Sequence, residues 1–390
     1  MLPRRRVVQA GGALAASLAV PRLLAAPGGP VVLGHVAPAT GAFASAALAM
    51  RQGLEAAVAE ANSQGGVRGG DVKLVSLDDG YSAPRSLALA QQLKAQGNLA
   101  ALLAPFGKAA MDTLMPWAAE TRTPLIGARS GAETQRSYHR WTFFNIASVA
   151  DEVAFLARHL ATVGARRLGV FFMADPAGTE AWQRLSAAAQ QHGLTALRAE
   201  SFSVNPVPPA TGGKAAKAAA AAAQASVPAV LKLSPEAVVL GGGGAGAEQV
   251  LRDLLAAGFP ASRIYTLSLL HAEPLATALG SAAEGLVCAQ VVPSPEDQKL
   301  PLAVAYRRAL QRLPAAQPSA FGLEAYLSAQ IALRALRQVP DAQNSEAVVD
   351  ALEQAGRFLV GGLQMHYDKT QHRGSRVVEL ARVSGGRLRR

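Results

Sequence analysis

From Val31 onward, short runs of β-branched residues alternate with longer segments whose apolar residues recur at helical spacing. That alternation calls for parallel strands joined by crossover helices. Val31–Val36 reads as a strand, and the segment through Asn62 sets Leu54, Ala57, Val58 and Ala61 on one helical face. The glycine-rich stretch Gly65–Gly70 ends that helix. Asp71–Leu77, Leu99–Ala104 and Pro124–Gly127 supply further strands, with a helix over Met111–Arg122, and together these make one doubly wound lobe.

After a short strand-like run at Trp141–Ala147, the alternation begins again. Val153, Leu156, Ala157 and Leu160 define a helical face. Strands follow at Arg166–Met173, Thr195–Phe202, Ala237–Leu240 and Arg263–Leu267, with helices between them. The proline- and alanine-rich stretch Asn205–Gln224 reads as an inserted loop and surface helix. The remaining elements, among them strands at Gly285–Val292 and Val377–Val383 and helices over Phe321–Leu336 and Ser345–Ala355, cannot build a third lobe, so they must complete the first two. The expected fold class is α/β with two doubly wound, Rossmann-like lobes.

Arg4, Arg5 and Arg6, the apolar run Val7–Val20 and the small residues Ala25 and Ala26 have the layout of a signal peptide over residues 1–26. The adjacent arginines suit twin-arginine export. The apolar run is shorter than the roughly 20 residues a spanning helix needs. The formal charge is +11, but these four-arginine ends (Arg4, Arg5, Arg6 and Arg22, then the arginines of 381–390) hold much of the excess. No block of like charge with interleaved aromatics remains, so nucleic acid is not an expected partner. The single cysteine, Cys288, excludes an intrachain disulfide and sits in an apolar run that reads as a buried strand.

Gly241, Gly243 and Gly246 satisfy G-x-G-x-x-G after a strand, yet the following strand ends in Thr266-Leu-Ser-Leu-Leu270 without the acid that would hold a ribose. A glycine turn at a strand end, where backbone approaches closely, is the better reading. The seven histidines show no metal-ligand spacing. Ser130 lacks a nucleophile-elbow context. Asp78 and Asp79 are adjacent at a strand end and face opposite ways. No catalytic set, cofactor or metal is expected.

What remains are loops at the carboxyl ends of strands, where open α/β sheets bind ligands. In the first lobe these hold Thr40 and Phe43, then Phe106, Gly107, Lys108 and Ala109, then Ala128, Arg129 and Ser130. Backbone N–H groups at helix starts suit an anion, and Lys108 and Arg129 would add charge.

The order of several segments resembles the periplasmic leucine/isoleucine/valine-binding protein family, the substrate-binding components of branched-chain amino acid type ABC transporters. The segments are Pro38-Ala-Thr-Gly41, Glu60-Ala-Asn62, Gly65-Gly-Val-Arg-Gly69, Leu77-Asp-Asp-Gly80, Phe144-Asn145, Asp151-Glu152, Val291-Val-Pro-Ser-Pro295, Phe321-Gly-Leu-Glu-Ala-Tyr326 and Gly361-Gly-Leu363. The resemblance implies a type I periplasmic-binding fold with three crossovers, lobe 1 being 31–146 plus 288–366 and lobe 2 being 147–287 plus 367–390. It implies a monomeric periplasmic receptor that closes on an amino acid-like or carboxylate ligand and delivers it to an ABC permease in the inner membrane. A ligand-sensing module for a membrane signalling protein is the alternative. Lobe 2 contacts would come from loops holding Asp175, Gly242, Gly243 and Leu269. The family's disulfide positions carry Tyr81 and Gly107 here, and a hydroxyl position of the family falls in Lys108-Ala109-Ala110. The ammonium-binding acid would fall near Leu269 or Leu270, so the expected cargo is a small organic anion or a less usual amino acid.

Overall fold

The computed structural model describes residues 30–205 and 225–390. The signal-peptide reading (1–26) and most of the Asn205–Gln224 insertion lie outside the described residues.

The first sheet has five parallel strands in the order β2-β1-β3-β4-β5. They are β1 (Val31–Ala37), β2 (Val72–Asp78), β3 (Leu99–Leu103), β4 (Leu125–Ile126) and β5 (Thr142–Phe143). β1 and β3 are buried along their whole length, as strands covered on both faces must be, whereas the edge strand β2 is only partly buried. The helices α1 (Ala44–Ser63), α2 (Ala83–Ala95) and α3 (Lys108–Thr121) connect these strands. The expected face of α1, Leu54, Ala57, Val58 and Ala61, is buried.

The second sheet has seven strands in the order β14-β13-β10-β9-β8-β6-β7. β6 (Arg167–Met173), β7 (Thr195–Phe202), β8 (Ala237–Gly241), β9 (Ile264–Thr266) and β10 (Val287–Gln290) run parallel. The final strands β13 (Glu379–Ser384) and β14 (Arg387–Arg389) are antiparallel. The helices of this lobe are α4 (Val149–Thr162), α5 (Pro176–Gln191), α6 (Gly244–Ala256) and α7 (Ala272–Leu279). A reciprocal Ser148–Asp151 capping box starts α4, satisfying two N–H groups where the chain enters the lobe.

Between β10 and β13 the chain returns to the first lobe as α8 (Pro301–Leu310), α9 (Ala320–Gln338), α10 (Ser345–Gln354) and the hairpin β11 (Gly356–Val360) and β12 (Leu363–Tyr367). α9 lies against α1, and the approach is close enough that a Cβ on Gly53 would sit 2.0 Å from the Gly322 carbonyl oxygen. The chain therefore passes between the lobes three times. The first and third passages are tied together: Phe144 N donates to His372 O at 2.9 Å, and Gly374 N to Phe144 O at 2.7 Å. Arg136, buried over the Phe144 ring, donates to Ile146 O and Ser130 O and holds the first passage to lobe 1.

The boundary expected between 287 and 288 is corrected by the pairing of β10. All four of its residues pair with β13, and Val287 and Cys288 also pair with β9, so residues 288–290 belong to the second sheet. Tyr367, expected to open lobe 2, instead pairs with Gly356 in the hairpin of the first lobe. Cys288, in β10 of the second sheet, is buried, and burial pushes its thiol up to about 12, so it stays protonated.

Candidate functional site

Three aromatic residues follow three successive strands of the first sheet: Phe43 after β1, Tyr81 after β2 and Phe106 after β3. Their rings form one cluster, with centroids 4.6 Å (Phe43–Tyr81), 5.0 Å (Phe43–Phe106) and 6.2 Å (Tyr81–Phe106) apart. Tyr81 is held there by an unusual backbone, φ +64°, and by its N–H donating to Asp79 Oδ1 at 2.9 Å. Gly107 lies beside it at φ +95°, and a Cβ there would come within 2.9 Å of the Tyr81 ring, so only glycine fits. The Tyr81 hydroxyl donates across the cleft to Asp175 Oδ2 at 3.1 Å. Burial, reinforced by the Asp175 charge, raises the phenol's pKa and keeps it a donor.

These rings and lobe 2 enclose a small cavity of about 20 Å³. Phe43, Phe106, Gly107, Lys108, Arg129, Ser130 and Leu269, all anticipated from the sequence, line it. Tyr81, Met173 and Glu180, also lining it, were not among the anticipated residues. The remaining anticipated residues lie off its wall. Thr40 turns away and donates its hydroxyl to Asp78 Oδ2 at 2.7 Å. Ala109 is exposed and Ala128 is buried. Gly242 and Gly243 pack against Met173 and Leu269, the atoms behind the wall. Asp175 touches the site only through Tyr81 and caps α5, accepting from Gly178 N at 2.7 Å.

Arg129 is 2% exposed, and its guanidinium faces protein groups of both lobes, with Nη2 hydrogen-bonded and Nε in an ion pair without a hydrogen bond. Nη2 donates to Ser268 O at 2.9 Å, Nε lies 3.4 Å from Glu324 Oε2, and the group stands over the Phe321 ring. Ser268 in turn donates through its N–H and hydroxyl to both oxygens of Glu152. Burial raises the carboxyls of Glu152 and Glu324, the latter to about 7 although the Arg129 charge opposes the shift. The cluster bridges the lobes, since Arg129 and Glu324 belong to the first and Ser268 and Glu152 to the second.

The electrostatics of the remaining wall are asymmetric. α3 begins at Lys108 with Gly107 as its N-cap, no side-chain cap and no acid in its first turn. Its free N–H groups and positive dipole end therefore remain available to an anion. The Lys108 ammonium pairs with Asp112 at 2.8 Å. On the opposite wall, Glu180 already accepts from the N–H groups of Glu133 and Thr134 and from the Thr134 hydroxyl, which leaves it less to offer a ligand amine. Ser130 donates to Gln135, fixing that loop against α3.

The glycine motif is a packing device. A Cβ on Gly243 would lie 1.9 Å from Leu269 O, and one on Gly246 would lie 1.8 Å from Ser203 O. Protein backbone fills the space a pyrophosphate would need. Ala245 N reaches across to Ala42 O at 3.0 Å, so this loop braces the closed cleft.

A sequence model described as periplasmic binding protein matches residues 30–387. No curated protein matches the chain. Among solved structures, a possible leucine/isoleucine/valine-binding protein from Rhodopirellula baltica SH 1 is 24% identical over 92% of this chain and 95% of its own, with a TM-score of 0.82. A substrate-binding periplasmic protein from Ralstonia solanacearum is 25% identical over 92% of this chain and 99% of its own, with a TM-score of 0.81. An ABC transporter substrate-binding protein from Desulfitobacterium hafniense, in complex with Leu, is 19% identical over 92% and 99%, with a TM-score of 0.71. The match of the family model along nearly the whole described chain, together with two wound lobes meeting at a cleft, shows that this chain belongs to the periplasmic binding protein family.

Proposed function

We propose that this protein is the periplasmic receptor of an ABC importer and that its cargo is a small organic carboxylate with an apolar or aromatic body. The observation that carries the ligand class is the uncapped start of α3 on the cleft wall, facing a lobe whose nearby acids, Asp175 and Glu180, already accept protein hydrogen bonds. An anion gains from the free N–H groups there, whereas an ammonium group finds no unengaged acid. The Phe43, Tyr81 and Phe106 rings offer the apolar body a stacking surface. Because the closed cavity is small, the ligand enters when the lobes part and takes room now filled by these rings. The closed receptor then presents both lobes to a permease in the inner membrane, after export directed by the N-terminal segment.

The reading is tested by thermal shift against matched carboxylates, amino acids and amines, since a ligand of the folded state alone raises its stability. Ala177 lines the cleft at the start of α5, so Ala177→Trp fills the site. We expect a carboxylate to raise Tm in the unsubstituted chain and not in A177W. A panel without any carboxylate response, or a response that survives A177W, overturns the reading.

A further inference from the structure

Leu48 on α1 is 45% exposed, one of few large apolar side chains left open to solvent. It stands at the edge of a second interlobe pocket of about 700 Å³, within the range of small-molecule sites. One wall comes from the first half of α1 and the turn before α9, and the other from α7, β13 and β14. No lining residue is shared with the cleft cavity.

The polar groups in this pocket are incompletely paired. Gln290, at the end of β10, is 8% exposed and lines it, and its side-chain amide has no hydrogen-bond partner among the described residues. His271 shares a hydrogen with Ser45 through Nδ1 at 2.9 Å, while its buried Nε2 has no hydrogen-bond partner among the described residues. Burial lowers the imidazole pKa to about 4, so the ring is neutral at neutral pH. Glu273 accepts from Ala320 N at 2.6 Å through Oε1 and has no ion pair among the described residues. A buried polar atom without a partner is a lasting cost to the fold, which a ligand can remove. The basic groups nearby lie at the rim: Arg387 and Arg389 are exposed, and Arg390 pairs with Glu379 and Asp297. Their fields are screened by water, whereas burial raises the carboxyl of Glu273 against the opposing Ala320 N–H bond, so a cation placed beside it would favour its charged form.

We propose that this pocket is a second binding site, distinct from the cleft, for a small amphipathic amine whose ammonium group meets Glu273 and whose apolar body covers Leu48. Gln290 and His271 accept or donate the remaining hydrogen bonds, and Pro274 and Ala278 close the apolar side.

The test is calorimetric titration of the full chain with phenethylamine, 2-phenylethanol and phenylacetate. Ala278 is exposed on α7 and lines only this pocket, so A278W blocks it without entering the core. E273Q keeps an oxygen for Ala320 N and removes the charge. We expect phenethylamine to bind the unsubstituted chain, to lose binding in A278W, and to bind E273Q about ten- to a hundredfold more weakly, the cost of one charge-assisted hydrogen bond. The alcohol binds more weakly than the amine. The proposal is overturned if phenethylamine does not bind, if its binding survives A278W, or if phenylacetate is preferred at the A278W-sensitive site. Carboxylate binding in the cleft is read separately, because A278W leaves that cavity untouched and A177W blocks it.

Discussion

The hydroxyl of Tyr81 in the first lobe donates a hydrogen bond to Asp175 Oδ2 in the second, across 3.1 Å. The capping bond from Gly178 to Asp175 lies within the second lobe, so the tyrosine bond is the one that spans the cleft. Tyr81→Phe retains the ring in its cluster and removes the donor. It should weaken the closed form by about 1–2 kcal/mol, roughly a tenfold change in the closed-to-open ratio. Small-angle scattering of ligand-free Y81F should show a larger radius of gyration than the parent chain; equal radii would reject the latch.

Arg129 is the positive member of a buried cluster that includes Glu324 and Glu152. Arg129→Met leaves Glu324 without its cation and the Ser268 carbonyl without its donor. Urea unfolding should show a loss of about 3–5 kcal/mol. Adding E324Q to R129M should recover part of it, because the uncompensated charge is then gone. A loss below about 1 kcal/mol in R129M would mean the cluster is not coupled as the geometry requires.

Glu324 also sets a pH trend. Its folded-state pKa is raised from 4.5 to about 7, mainly by burial. The folded protein therefore holds a proton that the unfolded chain releases, and the associated stability, full below about pH 4.5, is lost as pH rises through about 7. The loss is on the order of 3 kcal/mol. The difference in unfolding free energy between the parent chain and E324Q should fall across that window. Parallel pH profiles for the two proteins would remove Glu324 as the cause.

The two glycines Gly246 and Gly41 should respond differently to alanine. A Cβ at Gly246 meets Ser203 O at 1.8 Å, so G246A must push the segment after β7 away from α6. Gly41 has φ +80° with nothing near its Cβ position, so G41A bears only the left-handed backbone cost, roughly 1–2 kcal/mol. G246A should cost more than G41A in thermal unfolding and should also weaken cleft ligand binding, because α6 begins at the loop that braces Ala42. Equal losses would show that the loop yields freely.

The wound lobes were legible because their strands and helices have different apolar periods, and Leu54, Ala57, Val58 and Ala61 face inward as that period requires. The end of the second sheet was not legible, since the apolar run through Cys288 has no turn residue, and it is pairing with β9 and β13 that assigns it to lobe 2. The extended run at 359–367 is a hairpin because Gly361 and Gly362 both take positive φ. In the site, loop positions identified Phe43, Phe106 and Arg129, but not what they meet. Arg129 reads as a free cation in sequence, and its partner Glu324 lies on a helix far along the chain. Tyr81 follows Asp-Asp-Gly at a strand end, a local signal that marks it as a cleft residue. The hydrogen bonding of Glu180 by Glu133 and Thr134 leaves no sequence mark, because it depends on how α5 docks against the first lobe.

The placement of β13 sets the order in which this molecule can be made. β10 ends at Gln290 and its antiparallel partner begins only at Glu379, while α9, the helix covering α1, starts at Ala320. A nascent chain leaving the ribosome thus holds an uncovered α1 face until α9 has emerged, and an unpaired β10 edge until β13 has. Native folding of each lobe waits for its returning segment, and until then the chain carries exposed surface that a chaperone or an export factor can recognise.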